Sequence, residues 1–368
     1  MAHNFIEVKN IARQTLPLLI DNLVFPNLIH KDFSNDFVAG QGAKIQVRKP
    51  VKLHADEFNE ATGVKPQDIK DATVEVALDK IATVDVEFGA MQKVTNVDDL
   101  KRPFLEPAAI ALAEKINNDG LDLYKFVSTS VGKAGTTPNS IEVLAAARKQ
   151  LNIQKVPVAG RKGLWDAEAD AAFSTIPAIL NAEKSGSTSA LREGSIGRVM
   201  GLDNYMSQAV RQHEAGTLKA TSGDIKVKSQ VKDSETVTLY AEALTGTLVV
   251  GDELTIAGKK YAVVEDSTAS GNNITVKVSP DITVKAETKA TVLGNYTANL
   301  AFNPLAFAYV TRPLQAPAGV ECYVTNYNGI SLRVVRGYDM KHKKEMLSMD
   351  VLYGYKAIYP ELATKVLG

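Results

Sequence analysis

His213 is the residue of this sequence whose neighbour most invites a chemical role, because Glu214 follows it directly. A His–Glu pair opens the HExxH motif of zinc metalloproteases, in which a second histidine four residues on completes the metal site. That position is Thr217, so the motif is incomplete. No pair among the five histidines, at positions 3, 30, 54, 213 and 342, has the spacing of metal ligands. The sequence therefore predicts no metal site.

Stretches rich in serine or glycine do not complete a nucleophile or phosphate motif. The sequence EGSIG keeps Gly194 beside Ser195, but Glu193 replaces the first glycine of G-x-S-x-G. No G-x-x-x-x-G-K-[ST] stretch is present, so the sequence has no P-loop. We therefore predict no catalytic residue, no cofactor-binding residue and no cofactor, and we expect the chain not to be an enzyme.

The charge balance and the cysteine count limit the function classes further. Lys plus Arg number 42 and Asp plus Glu number 42, so the formal net charge is zero. A polycationic nucleic-acid binder needs an excess of basic residues, which this chain lacks. Cys322 is the sole cysteine, which excludes an intrachain disulfide and suits a reducing cytoplasm. The N-terminal sequence lacks a secretory pattern, and its most apolar stretch is too interrupted to span a bilayer.

The N-terminal segment predicts an amphipathic helix over residues 5–25. Ile11, Leu18 and Phe25 recur at helical spacing, and Pro17 is expected to kink or restart the helix. Such an apolar face needs a surface to lie against. Periodicity alone leaves two alternatives open: packing on its own domain, or docking as an arm on a neighbouring subunit.

Residues 43–88 alternate between apolar and polar side chains, which predicts extended strands, the second of them long and interrupted by a bulge. The polar stretch HADEFNEATGVKPQDIKD separates two alternating runs, so the simplest arrangement is a long two-stranded arm. Because an isolated hairpin is only marginally stable in water, we expect this arm to lie on a partner. The predicted contacts between subunits are Ile11, Leu18, Phe25, Lys52, Asp56, Glu57, Glu60, Lys65 and Lys70.

Two helices are predicted in the middle of the chain. The stretch from Pro107 to Ser128 predicts the longest one, about 33 Å at 1.5 Å per residue. Pro107 suits its first turn, and Gly120 is expected to allow a close crossing on its apolar face. The stretch TTPNSIEVLAAARKQLNI predicts a second helix.

The composition changes after Gly216. Residues 217–297 contain no Trp, Phe, Met or His and are dense in Thr, Val, Lys, Gly and Asp. Short alternating runs there predict six or so strands in about 80 residues, which indicates a small β-barrel or sandwich. Phenylalanine and a mixed apolar composition return after 297, so the simplest account is a β module inserted within a mixed α/β domain. Gly216 and Asn295 are its predicted hinges.

Four stretches carry a resemblance to a known family. They are RPFLEPAAIALAEKI, IGRVMGLDNYMSQAVRQHEAG, NLAFNPLAFAYVTRP and SMDVLYGYKAIYPELATKVLG. Taken in this order, with an insertion after the second, they make the chain resemble the major capsid (coat) proteins of tailed bacteriophages, which have the Hong-Kong-ninety-seven fold. The resemblance is to the short-tailed enterobacterial phage coat proteins that carry an inserted β-barrel.

The resemblance implies an α+β fold and a division of the chain into units. An inserted β-barrel domain would interrupt an axial domain, and a peripheral domain would contain the spine helix and the C-terminal strands. The implied ranges are an N-terminal arm (1–35), an extended loop (36–92), the spine helix (93–137), the axial domain (138–215 and 297–330), the insertion (216–296), and the C-terminal strands and tail (331–368).

The same resemblance implies a structural function. Many copies would form the hexamers and pentamers of an icosahedral shell, the virion capsid, which encloses double-stranded DNA without sequence-specific binding. Heterologous contacts about rotation axes produce such rings. The implied partners are further copies of the chain, a scaffolding protein and a portal protein, and no membrane. A precursor shell, assembled in the bacterial host cytoplasm, would expand as DNA is packaged.

Two alternatives to a phage shell stay open from the sequence. A cellular encapsulating compartment of the same fold would hold enzyme cargo in place of DNA. A soluble hydrolase with an unrecognised site would use the β module as a binding domain. Assembly into shells argues against the hydrolase, and the contents of the particles separate a phage shell from a compartment.

Overall fold

A computed structural model describes residues 8–31, 44–48, 73–89, 104–181, 186, 192–340 and 344–368, and every structural statement below concerns these residues. Strands predominate over helices. The described helices are α1 (Val8–Asn22), α2 (Phe25–Leu28), α3 (Glu106–Leu121), α4 (Ile141–Ile153), α5 (Ala167–Ser174) and α6 (Pro177–Leu180).

The described strands fall into three groups along the chain. The first group is β1 (Lys44–Arg48), β2 (Thr73–Ala77), β3 (Lys80–Gly89), β4 (Ser130–Gly132), β5 (Lys162–Trp165), β6 (Arg198–Val199), β7 (Leu202–Met206) and β8 (Gln212–His213). The second is β9 (Lys219–Val227), β10 (Val231–Thr245), β11 (Thr247–Leu248), β12 (Glu253–Ile256), β13 (Lys259–Val263), β14 (Ser267–Thr268), β15 (Asn273–Val284) and β16 (Ala290–Val292). The third is β17 (Tyr296–Phe302), β18 (Phe307–Thr311), β19 (Glu321–Tyr327), β20 (Ile330–Asp339), β21 (Lys344–Ala357) and β22 (Ala363–Leu367).

Helix α1 packs on its own chain. It continues through Pro17, and its apolar face, which includes Ile11, Leu16 and Leu19, is buried against α3, β19 and β20. Burying an apolar stripe of this kind is the main source of stability for a helix in a globular protein. Periodicity left open whether this helix packs on its own domain or docks on a neighbouring subunit. Its described part packs on its own domain.

The hairpin β1–β2 is attached to the rest of the chain at its base. The two strands pair antiparallel, from Lys44 opposite Ala77 to Arg48 opposite Thr73. Val76 and Leu78 lie in a small core with Ala308, Val310 and Ile358. The predicted tip of the arm lies outside the described residues.

The prediction that residues 73–88 form one long bulged strand is wrong. The chain changes partner after Ala77, because β2 pairs with β1 whereas β3 pairs with β21. Leu78, which lies between the two strands, is buried in a small core with Val76 and Val310. The interruption in the alternating pattern marks a boundary between two strands rather than a bulge within one.

Helix α3 is shorter than predicted. It ends at Leu121, and the chain continues as a 3₁₀ helix over Asp122–Phe126. Pro107 lies in the first turn as predicted. The predicted close crossing at Gly120 is also present, since a Cβ there would lie 2.6 Å from Phe25 Cδ1 and 2.8 Å from Tyr355 Cζ. The tighter 3₁₀ turn follows directly after this crossing.

A five-stranded sheet and a mixed sheet form the body of the molecule. In the first, β21 is central, with β20 and then β19 on one side and β18 and β3 on the other. The second has the order β4-β22-β17-β5-β7-β6, with β8 also paired to β17. Helices α4 and α5 cover one face of this mixed sheet around the buried Trp165.

The sheet pairing departs from the predicted boundary at residue 330. Strands β18 and β19 were grouped with the axial unit, but they pair with β21 and β20. Strand β22 was grouped with the C-terminal strands, but it joins β17 and β4. The 3₁₀ turn Pro304–Ala306 carries the chain from the mixed sheet to the five-stranded one, so this switch comes earlier than the sequence suggested.

Residues 219–292 form a separate antiparallel sheet with the order β16-β12-β13-β15-β10-β9. Its two outer strands approach each other, because the Val227 amide donates to Thr288 O at 2.9 Å and the Glu287 amide donates to Val227 O at 2.9 Å. The enclosed apolar core includes Val237, Leu239 and Val276 and is distinct from the core of the body.

Candidate functional site

His213 lies where the separate sheet meets the body. It ends β8, which pairs with β17 so that His213 stands opposite Tyr296. The imidazole is 3% exposed. Glu214, the neighbour that suggested a metalloprotease motif, is exposed and points away from this buried setting.

The imidazole of His213 is held between a phenol and a carboxylate. Its Nε2 lies 2.8 Å from Asp252 Oδ1, and its Nδ1 lies 2.8 Å from Tyr124 Oη. A carboxylate accepts hydrogen bonds, so Nε2–H donates to Asp252, and Nδ1 forms its hydrogen bond with the Tyr124 hydroxyl. All three side chains are buried. Both imidazole nitrogens have a hydrogen-bond partner within this series.

A hydroxyl–imidazole–carboxylate series is also the arrangement that activates a nucleophile. Here the hydroxyl keeps its proton, because burial and the charge of Asp122 raise the pKa of Tyr124 well above its ordinary value. A nucleophile also needs access to substrate, and Tyr124 is 3% exposed. The series therefore acts as a structural connection between the two sheets.

Asp252 extends the connection to the backbone. Its Oδ2 accepts from the Val249 amide at 2.9 Å and from the Gly216 amide at 3.1 Å. One carboxylate thus ties the turn before β12 to the chain segment that enters the separate sheet. Hydrogen bonds to a buried charge are stronger than those between neutral groups, and they fix this turn in one orientation.

Gly251 allows the turn to approach His213. Its φ is +102°, a conformation that favours glycine, and a Cβ there would lie 2.8 Å from Lys125 Cγ and 3.0 Å from His213 Cε1. The Gly251 carbonyl accepts from Tyr296 Oη at 2.9 Å. A larger residue would separate the turn from the body.

A second group of buried charges lies beside the first. Lys365 of β22 is 0% exposed, and its Nζ lies 3.2 Å from Glu253 Oε2 and 3.2 Å from Tyr296 Oη. Glu253 Oε1 accepts from Ser130 Oγ at 2.7 Å and lies 3.0 Å from Lys260 Nζ. Burial lowers the pKa of Lys365, and the charge of Glu253 opposes that shift. We call Tyr124, Ser130, His213, Asp252, Glu253, Lys260, Tyr296 and Lys365 the polar junction.

Both predicted hinge residues lie at this junction. Gly216 packs closely, since a Cβ there would lie 2.2 Å from Thr247 O, and Asn295 Oδ1 accepts from the Ala215 amide at 2.8 Å. The two chain crossings are therefore linked to each other and to the turn at Asp252. A hinge motion would have to break these hydrogen bonds, and the hinge remains a prediction.

The predicted contacts between subunits divide into three cases. Ile11 and Phe25 are 8% and 0% exposed in the single chain, so both side chains lie in its own core, and their contact with other subunits stays a prediction. Leu18 is half-buried beside that core. Lys52, Asp56, Glu57, Glu60, Lys65 and Lys70 lie outside the described residues.

The described residues contain no group of three or more His, Cys, Asp or Glu side chains that could hold a metal ion. Within the same part of the chain, no helix is long and apolar enough to cross a membrane. All members of the polar junction except Lys260 are buried, and its geometry holds charges in place between the two sheets.

Most of the polar junction was not foreseen from the sequence. Asp252 and Glu253 read as turn residues in TLVVGDELTI, and Lys365 reads as one charge near the end of the chain. One signal was present, because Lys365 stands in the apolar run ATKVL, where a charged residue needs a partner if the strand is buried. The partner itself lies 112 positions away and is brought there by the fold.

Comparison with known proteins assigns the fold. No family model and no curated protein matches the chain. A solved structure from Mycobacterium phage Che8 matches with a TM-score of 0.56 at 16% identity, covering 94% of this chain and 90% of that chain. The chain has a phage capsid fold. The predicted resemblance to phage coat proteins and the α+β class are confirmed at the level of the fold.

Two further solved structures match at lower TM-scores. The capsid structure of the cyanophage P-SCSP1u has a TM-score of 0.49 at 13% identity, covering 89% of this chain and 84% of that chain. The capsid of an empty GTA particle has a TM-score of 0.48 at 9% identity, covering 90% of this chain and 86% of that chain.

Proposed function

We propose that this chain is the major capsid protein of a tailed bacteriophage. Copies of it assemble into the icosahedral shell that encloses the double-stranded DNA genome, by way of a precursor shell that expands on packaging. The observation that carries the proposal is the likeness to the Che8 phage structure, which extends over 94% of the chain. A structural role also agrees with the polar junction, whose groups bind one another and are buried apart from the partly exposed Lys260.

The units of the chain follow from this proposal. The mixed sheet with α4 and α5 corresponds to the axial domain, and the five-stranded sheet with α1 and α3 corresponds to the peripheral domain. The sheet of residues 219–292 corresponds to the inserted β-barrel, supported by its separate core and the meeting of its outer strands. The hairpin β1–β2 corresponds to the base of the extended loop.

Contacts with other molecules are part of the same proposal. Leu18 and the charged residues of the loop, from Lys52 to Lys70, contact neighbouring subunits. A scaffolding protein and a portal protein take part in assembly, which occurs in the host cytoplasm. The formal net charge of zero fits a shell that confines DNA without binding it tightly.

Electron microscopy of the full-length purified chain tests the proposal. We expect rings, tubes or closed shells in negative stain over a series of salt and protein concentrations, with co-expressed neighbouring genes as a second condition. Only dispersed monomers under every condition would overturn it. Nuclease-protected DNA in particles from infected or induced cells separates a phage shell from a compartment, which would contain protein cargo.

A further inference from the structure

An open groove of about 430 Å³ runs along the exposed face of α4. Its walls combine basic and apolar side chains and include an unusually exposed isoleucine, since Ile153 is 62% exposed. The lining residues are Ala145, Arg148, Lys149, Asn152, Ile153 and Met200. Exposed apolar surface flanked by charge is typical of a protein–protein contact.

The groove is held in shape by a buried arginine. Arg161 is 2% exposed, and its guanidinium donates to Asn152 Oδ1 at 2.7 Å, Val156 O at 2.6 Å and Pro157 O at 2.9 Å. These three acceptors belong to the end of α4 and the loop that follows it. The C-terminal turn of α4, which presents Ile153, is therefore held in place before any partner binds, which lowers the cost of binding.

The groove carries positive charge, since Arg148 and Lys149 line it. Arg161 bonds only to neutral oxygens, and burial together with the charge of Arg148 lowers its pKa. Within the described ranges, Arg148 and Lys149 make no ion pair. A partner with negative charge would offset the repulsion between the Arg148 and Arg161 charges.

The matching negative charge lies at the other end of the same unit. The first turn of α5 contains Glu168 and Asp170, and Asp166 caps it. Burial and the charge of Asp166 raise the pKa of Asp170. Thr137 Oγ1 donates to Glu168 Oε2 at 3.3 Å, which places this acidic turn beside the segment that precedes α4. The basic groove is at the opposite, C-terminal end of α4.

We propose that the groove of one copy receives the acidic first turn of α5 from a second copy, with Lys149 paired to Glu168 of that copy. The proposal rests on the shell function argued above. The basic groove lies at the C-terminal end of α4, and the acidic turn of α5 lies beside the segment that precedes α4. With the apolar Ile153 between copies, these two surfaces generate a head-to-tail contact that repeats around a ring. The apolar component and the absence of aromatic side chains in the groove favour a protein over nucleic acid as its occupant.

Charge reversal in the full-length chain tests the pairing. We expect K149E and E168K each to weaken self-association about tenfold by sedimentation velocity, and the double variant to recover most of it, because every contact is then reversed together. Lys228→Glu, an exposed lysine of the inserted sheet, is the matched control and should leave self-association unchanged. Equal behaviour of K149E and the control would overturn the proposal.

Cysteine pairing gives a second readout that does not depend on closed particles. In a Cys322→Ser background, chains with Lys149→Cys are mixed with chains carrying Glu168→Cys and oxidised. A disulfide-linked mixed dimer is expected, with little dimer from either chain alone. If shells form but no mixed dimer is found at the same concentrations, this contact is rejected and the shell function stands. If no shells form, the result counts against the function itself.

The remaining outcome concerns nucleic acid. K149E and wild-type protein are compared for binding to a double-stranded DNA fragment at several salt concentrations. If K149E loses DNA binding while self-association stays unchanged, the groove binds DNA and the proposal is overturned.

Discussion

Lys365 Nζ lies 3.2 Å from Glu253 Oε2, and the two side chains are 0% and 1% exposed. The lysine lies in β22 of the mixed sheet of the body. The glutamate is the first residue of β12 in the separate sheet. A buried ion pair of this kind adds little net stability, but removing one partner leaves an uncompensated charge. If the separate sheet moved away, Lys365 would stay buried in the body without its counter-charge, so the stability of the body depends on the position of that sheet.

We expect Glu253→Gln to lower the free energy of unfolding by about 3–5 kcal/mol, since Lys365 loses its buried counter-charge. Adding Lys365→Met to the same chain should recover a large part of the loss. Urea denaturation of the four variants of this double-mutant cycle measures the coupling. The control is Glu265→Gln, because the Glu265–Lys277 pair is exposed and should be worth no more than about 1 kcal/mol. Additive effects of the two buried substitutions would contradict the pairing.

Asp252→Ala should destabilise the chain by about 2–4 kcal/mol. The change removes the acceptor of the buried His213 Nε2–H and of two part-buried backbone amides. Asp266→Ala in the same region is the matched control, because Asp266 accepts from the Val250 amide in an exposed setting. Hydrogen exchange at Gly216 and Val249 should rise in the first variant alone. Unchanged exchange there would show that Asp252 does not hold the turn.

Gly354→Ala should loosen the base of the hairpin β1–β2. A Cβ at Gly354 would lie 2.9 Å from the Ala77 carbonyl carbon and closer still to its oxygen, so β2 must move away from β21. We expect a loss of about 1–3 kcal/mol and faster proteolysis at the hairpin. Gly337→Ala on the neighbouring strand is the control, because nothing lies within 4 Å of a Cβ there. Similar proteolysis of the two variants would argue against this contact.

Tyr353→Phe should change the acid stability of the protein. Tyr353 Oη donates to Asp119 Oδ2 at 2.6 Å. Burial alone would raise the pKa of Asp119, but hydrogen bonds from Tyr353 and Lys115 outweigh it and hold that pKa below its ordinary value. The unfolded chain then binds more protons, so this stabilisation is complete above about pH 4 and is lost as pH falls through the lowered pKa.

The substitution should therefore cost about 1.5–3 kcal/mol at pH 7, and the difference from wild type should shrink towards pH 2. Urea denaturation at a series of pH values measures it. Tyr355→Phe is the control, since Tyr355 Oη donates to the neutral Ile116 carbonyl and its loss should not vary over this range. A constant difference for Tyr353→Phe would mean that the hydroxyl does not act through the Asp119 charge.

Local patterns were sufficient to predict several elements. The apolar stripe and Pro107 predicted helix α3, and the composition change after Gly216 marked the start of a sheet with a core of its own. These predictions succeeded because side-chain periodicity reports directly on which face is buried. The length of α3 and the long strand over residues 73–88 were wrong, because crossings with distant residues at Gly120 and Leu78 decide where these elements end.

By itself, the sequence determined the mixture of helices and strands, the start of a separate β segment after Gly216 and, through four stretches in order, the fold. Only the tertiary structure decided that Ile11 and Phe25 belong to the chain's own core and that His213, Asp252, Glu253 and Lys365 meet in one polar junction. The physical reason is distance along the chain. Periodicity describes neighbours within one element, whereas a buried charge is stabilised by whichever partner the packing of separate elements brings to it.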